Sequence, residues 1–88
     1  MAESFADVLM RGIEYEGLRE SINIEIAHHT ELVEQFGQDT VEGRSHLEAI
    51  TRLAGVRRLL APNNAAAIEI AGLLLDNSRA ERAGVTAA

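Results

Sequence analysis

The stretch that decides the fold is residues 65–75, Ala65-Ala66-Ala67-Ile68-Glu69-Ile70-Ala71-Gly72-Leu73-Leu74-Leu75. Glu69 is its one charged residue, so a helix formed here is apolar on nearly every side. Such a helix is normally covered by protein all round. Two other short helices cannot enclose it, and monomers rarely leave a large apolar patch open to water. The stretch therefore predicts contact with another molecule, most simply a second copy of the chain.

The length of the chain points the same way. Eighty-eight residues form a single domain, residues 1–88, with a thin hydrophobic core. Domains of this size usually need a disulfide, a metal or a partner subunit for stability. The sequence has no cysteine, which excludes disulfides and thiolate metal sites. Of the remaining routes, self-association is the simplest.

Turn signals divide the chain into three helices. Gly37 and Pro62 are natural helix ends, and short polar residues that can cap helices precede each apolar run. We predict an all-α fold, either a helical hairpin or a three-helix bundle completed by self-association. The helices are expected at about residues 4–36, 40–60 and 64–82.

Two features of the first helix leave alternatives open. Gly12 and Gly17 each cost about 1 kcal/mol in a helix interior, so this helix is either continuous or broken near residues 12–17. Ile13–Glu16 and Ile22–Ile26 alternate between apolar and polar residues, which would also suit a β-hairpin. The helical spacing of the flanking apolar residues favours the helix.

The expected partner-binding surface combines the apolar third helix with the N-terminal part of the long first helix. The first helix, if continuous, outreaches the other two and carries apolar residues on the overhang. The residues expected to bind a partner are Phe5, Val8, Leu9, Ile68, Ile70, Ala71, Leu73, Leu74 and Leu75.

Charge excludes several functions. The net charge is −6, and all eight positive charges are arginine, a usage typical of GC-rich bacterial or phage genomes. An acidic chain gains no counterion release on nucleic acid, and an apolar third helix cannot serve as a helix-turn-helix recognition helix. No signal peptide or membrane span is indicated. We therefore expect no nucleic-acid or membrane partner and a cytoplasmic protein, or one in a virion or host cytoplasm if phage-encoded.

Candidate chemistry is sparse. Glu25 and His28 form an E-x-x-H pattern, which resembles the helical metal motif of ferritin-like proteins over four residues; the resemblance implies a metal-binding bundle as an alternative function. We favour His28 as a surface residue and His29 as a partly buried one. A pH-sensitive cluster of His28 with Glu25 and Glu31 is a further alternative. No catalytic motif, cofactor site or committed metal ligand is found, so we predict a non-enzyme.

The expected function is therefore protein–protein interaction. The chain would be a structural or assembly component, or a small modulator of a larger protein, such as a phage virion part or an inhibitor of a host system. An acidic mimic that docks on a basic surface is an alternative. Its acidic face would comprise Glu14, Glu16, Glu20, Glu31 and Glu34.

Overall fold

The protein folds as three helices that pack against one another, which confirms the predicted all-α three-helix bundle. The computed structural model describes the backbone of residues 4–87 and the side chains of residues 4 and 14–83. The helices are α1 (Phe5–Phe36), α2 (Val41–Leu59) and α3 (Ala65–Ala87). None of the backbone described forms a strand, so the β-hairpin alternative is wrong. Within the same residues, no helix has the length and apolarity to cross a membrane.

The long first helix is continuous. Its 32 residues include Gly12 and Gly17, and the break considered near residues 12–17 is absent. Tyr15 and Leu18 pack against the hydrophobic core on either side of Gly17. Tertiary packing of this face therefore outweighs the poor helix propensity of glycine.

Both turns are closed by local hydrogen bonds. Gly37 has a φ of 93°, the left-handed conformation that ends helices and that glycine adopts freely. Thr40 caps α2 by accepting a hydrogen bond from the Gly43 amide at 2.9 Å. Asn64 caps α3 by accepting one from the Ala67 amide at 3.1 Å. Short polar residues at the expected places thus begin both helices.

The hydrophobic core lies among all three helices, towards the α2–α3 turn. α3 contributes small residues, Ala67 and Ala71, to this core, and these let its backbone approach the other two helices. Helix α1 contributes the fully buried Ile22. The apolar cluster consists of Ile22, Leu53, Val56, Leu60, Ala67, Ala71 and Leu75.

Alanine substitutions at two glycines test the close backbone approach in the α1–α2 turn. A Cβ at Gly43 would lie 1.8 Å from the Gly37 carbonyl oxygen, whereas a Cβ at Gly17 would meet nothing within 4 Å. We expect Gly43→Ala to destabilise the fold by about 1–3 kcal/mol, because the backbone must move. Gly17→Ala should stabilise it by about 1 kcal/mol through helix propensity. Urea unfolding followed by circular dichroism measures both; a neutral Gly43→Ala variant would contradict the close approach.

Candidate functional site

A buried cluster of polar side chains joins the three helices next to the apolar core. Glu25, His29, His46 and Ser78 are only 2 %, 0 %, 2 % and 3 % exposed. Arg82 closes the cluster on its half-buried side. We call these five residues the polar cluster: α1 supplies Glu25 and His29, α2 supplies His46, and α3 supplies Ser78 and Arg82.

An ion pair anchors the polar cluster. Arg82 donates from Nε to Glu25 Oε1 at 2.6 Å and from a terminal nitrogen to Oε2 at 2.8 Å, the two-pronged geometry that makes such pairs strong. Ser78 Oγ donates to Glu25 Oε1 at 2.9 Å. Burial alone raises the pKa of Glu25, but the hydrogen bonds from Arg82 and Ser78 outweigh it and hold that pKa below its ordinary value. Glu25 is therefore a buried carboxylate anion.

Two histidines, His29 on α1 and His46 on α2, extend the hydrogen-bond network of Ser78 to α2. His29 Nε2 lies 2.5 Å from Ser78 Oγ, and His29 Nδ1 lies 2.7 Å from His46 Nδ1. Burial and the nearby His46 lower the pKa of His29, so His29 is neutral at pH 7.

The direction of each bond follows from the carboxylate. Since Ser78 gives its one proton to Glu25, its oxygen accepts from His29 Nε2–H. Neutral His29 then has a bare Nδ1, which accepts from His46 Nδ1–H. Every polar atom in this chain of contacts has a defined role as donor or acceptor.

A serine next to an imidazole is also found in nucleophilic hydrolases, so Ser78 and His29 have to be compared with a nucleophile and its base. A nucleophilic serine directs its proton to the imidazole that acts as base. In this protein the Ser78 proton points to Glu25, and the serine is buried. These hydrogen-bond directions suit a structural cluster and give no support to nucleophilic catalysis.

The E-x-x-H interpretation of Glu25 and His28 is not supported by the structure. Glu25 is buried and paired with Arg82, whereas the side chain of His28 is exposed to solvent. The pH-sensitive trio of His28, Glu25 and Glu31 does not assemble for the same reason. Across the described part of the chain, no group of three histidine, cysteine or acidic residues could hold a metal ion.

The spacing of polar residues along the buried sides of α1 and α3 indicates the polar cluster in the sequence. Glu25 and His29 continue the buried side of α1 at helical steps between Ile22 and Val33. Ser78 and Arg82 likewise extend the buried line of α3 beyond Leu75. Polar residues on a core-facing line at this spacing indicate a buried network, and the expectation that His29 is only partly buried was too weak.

A second feature is an open cleft between α2 and α3, with a volume of about 440 Å³. Its walls are mostly apolar, and several apolar side chains on and beside it remain in water. Leu59 is 64 % exposed, Ile70 50 % and Leu73 59 %. We call this region the α2–α3 face. Its apolar lining residues include Val56, Leu59, Ala67, Ile70 and Leu74, with Leu73 beside them; Thr51, Arg52 and Asn64 also line the cleft.

The expected partner-binding residues divide into four groups. Ala71 and Leu75 are buried in the core of their own chain, which corrects their assignment to a free surface. Ile68 and Leu74 are partly buried and pack against the same core, while Ile70 and Leu73 are exposed. The side chains of the three α1 residues lie outside the described part; these are Phe5, Val8 and Leu9.

The five glutamates expected to form an acidic face on α1 are all exposed; these are Glu14, Glu16, Glu20, Glu31 and Glu34. No protein-family model matches the chain, and neither a curated protein nor a solved structure shows significant similarity to it. The polar cluster and the α2–α3 face are therefore the two features that bear on function.

Removing the cation of the polar cluster tests its role in stability. We expect Arg82→Met to destabilise the fold by about 2–4 kcal/mol, because the buried Glu25 carboxylate loses its counter-charge. Arg79→Met, at an exposed arginine on the same helix, should have little effect. The double variant Glu25→Leu with Arg82→Met should recover most of the loss, since no charge is then left buried. Urea unfolding checks all three; equal effects of the two arginine variants would refute the ion pair's role.

Proposed function

We propose that this protein is a non-enzymatic protein-binding module whose α2–α3 face pairs with the same face of a second copy. The observation that carries the proposal is the exposure of Leu59, Ile70 and Leu73 around one apolar cleft. Large contiguous apolar patches on small domains usually mark interaction sites. The sequence-based expectation combined α3 with the N-terminal part of α1, whereas the contact proposed from the structure uses the outer side of α3 and the end of α2.

The shape of the α2–α3 face supports pairing with itself. Ile70 and Leu73 project from α3 beside a cleft that can receive side chains of similar size. In a two-fold dimer, the projecting side chains of each copy can enter the cleft of the other copy. One surface thus provides both halves of the contact.

Charge also favours a second copy as the partner. Helix α2 has four arginines and two glutamates, and Arg44 and Arg58 are exposed. The exposed side of α3 carries Glu69 and Asp76 near the apolar side chains. A two-fold axis along the cleft places α2 of one copy over α3 of the other, which brings opposite charges together.

Light scattering after size-exclusion chromatography tests the dimer. We expect the wild type to run as a dimer at micromolar concentration and Ile70→Glu to shift it to monomer, because an unpaired carboxylate in the interface costs several kcal/mol. Leu73→Glu should act in the same way. Leu74 is unsuitable for this test, because it packs against the core of its own chain.

The matched control is Ile24→Glu on α1. Ile24 and Ile70 are each 50 % exposed, so the two substitutions place the same charge at equally solvated positions. Ile24→Glu should leave the dimer intact. A wild type that is monomeric throughout this concentration range, or equal effects of both isoleucine variants, would refute the proposal.

A further inference from the structure

The bundle has two halves of different chemistry. The half nearer the α2–α3 turn is held by the apolar cluster. The half nearer the α1–α2 turn contains the polar cluster, in which His46 provides the link from α2 to α1, together with the buried Val33 and Ala49. Opening of this second half would therefore not require loss of the apolar cluster.

The contact between the two histidines limits how many protons the polar cluster can carry. The facing Nδ1 atoms of His29 and His46 are 2.7 Å apart, so one hydrogen must lie between them. One added proton is tolerated, because either imidazole can donate while the other accepts. Two added protons place an N–H on both facing atoms and a positive charge on both rings, and the contact cannot survive.

We propose that the His29–His46 contact is an acid-operated latch, whose double protonation releases the first half of α2 from α1 while the apolar cluster stays folded. The charged groups that act on His29 come from all three helices, and the one on α2 is His46, which lowers the pKa of His29. Glu25 on α1 and Glu81 on α3 are the carboxylates that attract a proton to His29, and Arg82 on α3 repels it. No other acid-sensitive group is required.

The sign of the pH effect follows from the buried imidazole. Burial and His46 lower the pKa of His29 below its ordinary value of 6.5 in the closed state. The open state therefore binds protons more readily, and the closing free energy is fully present above pH 6.5 and is lost as the pH falls below it.

Hydrogen exchange on the wild-type chain between about pH 8 and about pH 5 tests the latch. We expect protection factors, corrected for the intrinsic pH dependence of exchange, to fall about tenfold or more for amides 45–49 on α2. Amides from Leu53 to Leu59, on the same helix beside the apolar cluster, should keep their protection. Unchanged protection at 45–49, or an equal loss along the whole of α2, would overturn the proposal.

Two variants separate the latch from general acid sensitivity. His46→Asn keeps an N–H donor near the position of Nδ1 but removes the imidazole ring, so the loss of protection at acid pH should largely disappear. His28→Gln removes an exposed histidine that takes no part in the contact and should behave as wild type. An acid response that persists in His46→Asn, or that disappears in His28→Gln, would place the proton-binding group elsewhere.

Discussion

Arg82 neutralises the carboxylate of Glu25 inside the bundle, and the arrangement of the rest of the polar cluster depends on this ion pair. The charge on Glu25 draws the Ser78 proton, Ser78 then accepts from His29, and His29 accepts from His46. One electrostatic contact between α1 and α3 thereby sets the hydrogen bond that reaches α2. A buried ion pair adds little net stability, but the loss of either partner is costly.

The same contact selects the register of the helices. The buried line of α3 repeats small or aliphatic residues every four positions, at Ala67, Ala71 and Leu75, so a shift by one turn would still bury apolar groups. Such a shift would take Ser78 and Arg82 away from Glu25 and leave a carboxylate unpaired in the interior. The apolar residues thus favour a compact bundle, and the polar cluster selects one alignment within it.

Sequence reasoning was reliable where the determinant is local. Thr40 and Asn64 cap α2 and α3 because their hydrogen bonds span three residues, a distance that a sequence displays directly. It was less reliable where the partner is distant. Glu25 and Ser78 are 53 positions apart, and no local pattern reveals that they meet. Apolar character alone does not give burial either, since Val41 begins α2 and is 82 % exposed.

The two connections of this bundle differ in how much change they can absorb. Between α1 and α2, the backbone of Gly37 lies so close to Gly43 that the chain has no room for extra atoms. Between α2 and α3, Pro62 and Asn63 are exposed, and the cap formed by Asn64 lies after them. A protein engineer who uses this bundle as a scaffold should therefore graft foreign loops at Pro62-Asn63 and leave Gly37 and Gly43 unchanged.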